Sequence, residues 1–169
     1  MAEHFRVLNV EAGYVGFVVA MYGLRRVYLP EETAARIRAR VRADYPLAGE
    51  NDDLLPTFAQ ELTRYFAGEP VIFTVAIDWT GYSSFDADVW RSCLTLGYGE
   101  VASYGDLARK VRRPGGARAV GGAMARNPMP IVVPCHRVLR GDGSIGGYSG
   151  HCGVSFKKRL LEMESAALT

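Results

Sequence analysis

Apolar residues in the first half of the chain recur in short runs, and the spacing changes from run to run. FRVLNV (residues 5–10), YVGFVVAMYG (14–23) and LRRVYL (24–29) are rich in β-branched and aromatic side chains and are punctuated by glycine. That composition fits a pleated, buried surface and predicts three strands, the third ended by Pro30. EETAARIRARVRADY (31–45) shifts to a helical spacing with charges along it. Asp52 or Asp53 stands where it can cap a second helix, LLPTFAQELTRYFAG (54–68), which Gly68 closes. VIFTVAIDW (71–79) reads as a further strand.

TGYSS (80–84) is a turn-rich joint, and the pattern is helical beyond it. SSFDADVWRSCLTLG (83–97) places Phe85, Val89, Cys93 and Leu96 about one helical turn apart, and Gly97 and Gly99 stop it. SYGD (103–106) has the form of a capping box, with Ser103 as cap and Asp106 reaching back. The short helix YGDLARKV follows, RRPGG breaks it, and ARAVGGAMAR runs on to Asn127-Pro128. Two short helices across a tight Pro/Gly turn are a helix-turn-helix signature. The expected organisation is an α/β domain over 1–82 and a helical domain over 83–169.

The second helix of that pair has Ala-Val-Gly-Gly-Ala at its centre. Each glycine costs a helix about 1 kcal/mol relative to alanine. A surface without side chains serves either close packing against the core or close approach of backbone to a ligand such as a DNA minor groove. Only Arg118 stands up from the small residues at the start of this helix.

Charge sharpens the contrast between the halves. Residues 1–85 carry 8 basic and 11 acidic side chains, residues 86–169 carry 12 basic and 7 acidic ones, and six cations with no acid fall between 109 and 126. Such a stripe is either a solvated helix face or the footprint of a polyanion partner. No apolar run approaches the roughly 18–20 residues of a membrane span, and MAEHFRVLNVEAG lacks the pattern of a signal peptide. A cytoplasmic protein is expected. The three cysteines, Cys93, Cys135 and Cys152, form no CxxC, and no metal site is expected. A Cys93–Cys152 disulfide is open but disfavoured in a reducing compartment.

The chemistry centres on PIVVPCHRVLRG (130–141), where Cys135 sits between Pro134 and His136. A thiol with a pKa of about 8.5 is mostly protonated at neutral pH, so a nucleophile needs a nearby base or cation and a lowered pKa. His136 is adjacent, and a carboxylate from Asp142, Glu162 or Glu164 could fix its tautomer. GDGSIGGYSG (141–150) follows, a glycine-rich loop with Tyr148 as a stacking face and Ser149 as a hydroxyl. It is either an ordinary hairpin or a seat for a flat, hydrogen-bonding ligand.

SYGDLA, ARAVGGAMARNPMPIVVPCHRVL and GGYSG, in this order and spacing, resemble the O6-alkylguanine-DNA alkyltransferase family. The likeness covers about residues 85–165. It implies a ribonuclease-H-like α/β domain followed by a winged-helix domain. It also implies irreversible, single-turnover transfer of an alkyl group from O6 of guanine in duplex DNA to Cys135, after minor-groove binding and base flipping. By the same resemblance His136 is the base acting through a water, Glu164 orients it, and Asn127 is the hinge. Tyr104 lies beside the flipped nucleotide and donates a proton toward guanine N3. Arg118 fills the vacated stack, with Ala119, Gly121, Gly122 and Arg126 on the DNA face. Pro130, Val138, Tyr148, Ser149 and Gly150 correspond to the alkylguanine pocket. The family uses no cofactor and no metal. The implied partner is duplex DNA carrying O6-alkylguanine, met by a monomer and not at a membrane. GHCGVS (150–155) departs from the plainer glycine-rich stretch of the family. Two other readings stay open: a lesion-binding protein that recruits repair factors without transfer, and a thiol hydrolase with a Cys-His-Glu triad.

Overall fold

Strands β1 (His4–Val10), β2 (Gly13–Ala20) and β3 (Gly23–Glu31) form an antiparallel meander, and the two-residue β4 (Gly49–Glu50) adds in parallel to β1. The sheet order is β3-β2-β1-β4. In the computed structural model, which describes residues 2–148 and 153–168, the chain divides into two units, Met1–Thr80 and Gly81–Thr169.

In the first unit the sheet is covered on both faces, which explains the unbroken apolar run of β2. Phe5 and the facing Val18 pack with Ile37 and Val41 of α1 (Ala34–Asp44). Phe17 points the other way and meets Phe58 of α2 (Pro56–Phe66), ring centroids 4.9 Å apart. Successive side chains on a strand alternate faces, so neighbours 17 and 18 serve two layers. A Cβ on Gly16 would lie 2.5 Å from Cγ2 of Ile37, so only glycine lets α1 approach this closely.

Several boundaries differ from expectation. β3 continues through Pro30 to Glu31 because it is an edge strand, where a missing N–H breaks no ladder. Helix α1 therefore starts later than residue 31, capped by Thr33, whose Oγ1 accepts from the Arg36 N–H at 3.3 Å. Neither Asp52 nor Asp53 caps α2. Its N-cap is Leu55, left-handed at φ 45°, and Pro56 supplies the first turn. Residues 71–79 form only an isolated bridge, Leu24 to Ile77. Their polar groups are drawn elsewhere: Thr74 Oγ1 donates to Glu61 of α2 at 2.7 Å.

The second unit is a helix cluster. Its members are α3 (Ser84–Cys93), α4 (Tyr104–Lys110), α5 (Ala117–Ala125) and α6 (Gly153–Leu168), with a two-strand parallel ladder, β5 (Ala102–Ser103) and β6 (Val138–Leu139). The capping box forms: Ser103 Oγ accepts from the Asp106 N–H at 3.0 Å, and Asp106 accepts from the Ser103 N–H at 2.8 Å. Trp90 of α3 is buried and donates to the Ala123 carbonyl at 2.9 Å, fixing α5 against α3. No helix of the described residues is long and apolar enough to cross a membrane.

Candidate active site

The segment that delivers the cysteine is built around Asn127. Its Nδ2 donates to the Val133 carbonyl at 2.9 Å, and its Oδ1 accepts from the Met129 N–H at 3.0 Å. The chain folds back on itself here, with Ile131 at φ 75°, before a single 3-10 turn, Cys135–Arg137. That turn replaces the extended geometry in which residues 135 and 136 would point apart. Cys135, His136 and Arg137 are all buried.

Glu164 of α6 is 1% exposed and gathers the turn's two basic side chains. His136 Nε2 lies 2.7 Å from Glu164 Oε1, and Arg137 donates through Nε at 3.0 Å and Nη2 at 2.8 Å. Arg137 also donates to the Leu96 carbonyl at 2.7 Å. Burial opposes ionisation of Glu164, but hydrogen bonds from His136 and Arg137 outweigh it and bring its pKa to about 2. An anionic carboxylate can only accept, so Nε2 of His136 carries the hydrogen and Nδ1 the lone pair. Burial holds His136 below its ordinary value, against the pull of Glu164. It is a neutral imidazole at rest, the form that can accept a proton.

The thiol differs from expectation. Burial raises the Cys135 pKa, while hydrogen bonding by Asn127, the charge of Lys157 and hydrogen bonding by Tyr148 act the other way without reversing it. The resting group is a thiol, and ionisation must be coupled to a proton acceptor. Cys93, fully buried on α3, is also pushed up by burial. Both Cys93 and Cys135 are free thiols, and Cys152 lies outside the described residues.

Cys135 lines an open cavity of about 950 Å³ shared by α4, α5 and the loop after β6. Tyr104, Arg118, Gly121 and Tyr148 line it too. A Cβ on Gly146 would lie 2.7 Å from the Tyr104 hydroxyl, so the ring seats directly on this glycine. Pro130 and Val138, expected in the pocket, are buried and not among its lining residues. Val138 faces inward, and its carbonyl is taken by Lys157 Nζ at 2.6 Å. Ala119 is exposed on α5, and Gly122 lies alongside. Arg126 donates to both carboxylate oxygens of Asp86, at 3.0 and 2.8 Å, so it ties the end of α5 to the start of α3. Ser149 and Gly150 lie outside the described residues.

Two residues of the site were not singled out from sequence. Lys157 is fully buried, with Nζ 3.3 Å from the Gly147 carbonyl and 3.5 Å from the Tyr104 hydroxyl. Burial lowers its pKa. Arg137 is the second. The signal for Lys157 was its spacing: Lys157 and Glu164 are seven apart, on the helical face that also carries Leu160. Charged residues on an apolar stripe mark a buried network. Among the described residues no cluster of three His, Cys, Asp or Glu is placed to hold a metal ion.

The second unit thus sets a thiol and a neutral imidazole–carboxylate pair on a helix-turn-helix scaffold, a nucleic-acid-binding frame built around a candidate nucleophile. The model of the 6-O-methylguanine DNA methyltransferase DNA-binding domain matches residues 84–166, and that of the family's ribonuclease-like domain matches residues 23–79. The inducible methylated-DNA–protein-cysteine methyltransferase of Bacillus subtilis is 40% identical over 129 residues, 76% of this chain and 70% of that protein. The Mycobacterium tuberculosis methylated-DNA–protein-cysteine methyltransferase is 46% identical over 106 residues, 63% of this chain and 62% of that protein. The crystal structure of Mycobacterium tuberculosis O6-methylguanine methyltransferase superposes with a TM-score of 0.80 at 33% identity, covering 98% of this chain and 94% of that one. A structure of Mycobacterium tuberculosis OGT in complex with DNA gives 0.78 at 34% identity, covering 97% and 94%. The chain belongs to the 6-O-methylguanine DNA methyltransferase family.

Proposed function

We propose that this protein repairs DNA by direct reversal, moving an alkyl group from O6 of guanine in duplex DNA onto Cys135 once per molecule. The observation that carries this reading is the Cys135–Arg137 turn, which closes on Glu164 at the wall of a cavity flanked by the helix-turn-helix. We divide the chain into a ribonuclease-H-like domain, 1–82, and a winged-helix DNA-binding and acceptor domain, 83–169, and place the protein in the cytoplasm as a monomer.

The base is reached only when it leaves the stack, at a cost of a few kcal/mol. Arg118, exposed in the first turn of α5, fills the gap. The bare Gly121–Gly122 surface, with Ala119, enters the minor groove, where readout is degenerate and any surrounding sequence is accepted. Tyr148 stacks on the base.

Transfer is an in-line displacement. The Cys135 proton passes to the neutral imidazole of His136, and sulfur attacks the alkyl carbon. The S–C bond forms as the C–O6 bond breaks, and the electron pair stays with guanine. Tyr104 gives guanine N3 a proton, and the Lys157 ammonium beside it stabilises the phenolate. Glu164 holds His136 in the accepting tautomer, and Asn127 holds the acceptor loop. The product is a thioether that no group here hydrolyses, so the protein is consumed, and no cofactor enters the balance. A lesion-binding protein without transfer would need no buried thiol next in the chain to a His–Glu pair, and a thiol hydrolase would turn over.

Cys135→Ala is expected to abolish methyl transfer from an O6-methylguanine duplex while binding that duplex within a few-fold of the parent. Transfer persisting in Cys135→Ala would remove the reading.

A further inference from the structure

Three arginines stand at the mouth of the cavity: Arg109 and Arg118 on the helix side, and Arg140 on the loop side. Arg109 is paired with Asp106. Among the described residues the Arg140 guanidinium has no hydrogen-bonded or ion-paired partner. Asp142 feels its charge, but Asp142 Oδ1 is occupied by the Ser144 N–H at 2.9 Å and the Ser144 hydroxyl at 2.6 Å.

The position of Arg140 is set by backbone. In the β5–β6 ladder Val138 pairs with Ala102 and Leu139 with Ser103. The next residues, Arg140 and Tyr104, therefore leave the ladder side by side. Two residues earlier, the Val138 carbonyl is anchored by the buried Lys157 at 2.6 Å. On the other side the Arg140 N–H donates to the Ser144 carbonyl at 3.0 Å, and the Gly143 N–H donates to the Arg140 carbonyl at 2.9 Å. The main chain is fixed on both sides and presents an exposed guanidinium next to the tyrosine that lines the cavity.

Depth selects its ligand. Cys135 is buried within the cavity, whereas Arg140 is exposed at its mouth. A base turned in toward the thiol leaves its sugar-phosphate at the mouth. A planar fork of donors matches two phosphate oxygens. We propose that Arg140 grips a phosphodiester of the lesion-bearing strand next to the extruded nucleotide, holding that strand from the loop side. This rests on the function proposed above.

The test compares Arg140→Ala and Arg140→Lys with the parent protein in three readouts. These are single-turnover transfer from an O6-methylguanine duplex, duplex affinity across salt, and iodoacetamide alkylation mapped to Cys135. Arg140→Ala is expected to slow transfer from the duplex about tenfold and to flatten the salt slope by about one. Iodoacetamide alkylation stays unchanged, since that reagent carries no phosphate, and Arg140→Lys restores the slope. An unchanged slope in Arg140→Ala overturns the proposal, as does an equal loss toward iodoacetamide, which would place Arg140 in the thiol's environment. If the parent transfers no methyl group to Cys135, the proposed function fails instead, and the salt slope still decides the phosphate contact.

Discussion

At the scale of single residues, the site works by keeping charges where they cannot relax. Glu164 is anionic and buried between His136 and Arg137. Removing its charge leaves Arg137 uncompensated, and breaking such a buried pair costs about 3–5 kcal/mol. Glu164→Gln is therefore expected to lower the denaturation midpoint sharply. It is also expected to slow methyl transfer by about 10²-fold or more, the scale of a positioned base. Full-rate transfer in a destabilised Glu164→Gln would make the carboxylate purely structural. The pH dependence follows from the same groups. His136 is held below its ordinary value of 6.5, so below that pH the unfolded chain takes a proton the folded one refuses, and stability falls as pH falls. Glu164, at about 2 in the fold against 4.5 ordinarily, adds a second loss as pH drops through that interval. Because Cys135 is raised and His136 is neutral at rest, the transfer rate should stay flat from about pH 6.5 to 8 and fall only in acid. A rate that climbs steadily with pH through the ordinary thiol range would show that ionisation is independent of His136.

At the scale of elements, α5 sets a physical conflict in view. A Cβ on Gly121 would sit 4.0 Å from the Tyr104 ring, an ordinary contact, whereas one on Gly122 would crowd the Arg126 guanidinium at 3.2 Å, which Asp86 holds in place. The fold itself tolerates alanine at position 121. Gly121→Ala is expected to stabilise the protein by about 0.4–1 kcal/mol and to weaken duplex binding by about 1 kcal/mol, roughly fivefold in Kd. Stabilisation without loss of binding would return Gly121 to an accident of packing. The elements that were legible in sequence were those with local signals, such as the Ser103–Asp106 capping box, the glycine-punctuated strands and the PCHR turn's neighbours. What was not legible depended on distant partners. The edge position of β3 let Pro30 stay in the strand, and Glu61 diverted Thr74 from a ladder. In the site, Cys135 and His136 were visible as chemistry, and Tyr104 only through the family resemblance. The thiol's raised pKa was not, because burial is a property of the whole unit. The resemblance puts Pro130 and Val138 in the pocket, and both are buried and absent from the residues that line the cavity.

At the scale of the molecule, charge and chemistry fall in the same half. The second half of the chain carries the cationic excess, 12 basic against 7 acidic side chains, and also the only buried thiols among the described residues. A polyanion is thus drawn by its charge to the unit that holds the acceptor, a sequence-independent attraction that weakens with salt. The central claim is that this attraction ends in one covalent event on one sulfur. Intact-protein mass spectrometry after mixing with excess O6-methylguanine duplex tests it most directly. The account predicts a gain of about 14 Da, one methylene, saturating at one per molecule and mapping to Cys135. No gain in mass while the duplex is bound tightly would contradict it and make His136, Arg137 and Glu164 parts of a lesion-binding fold.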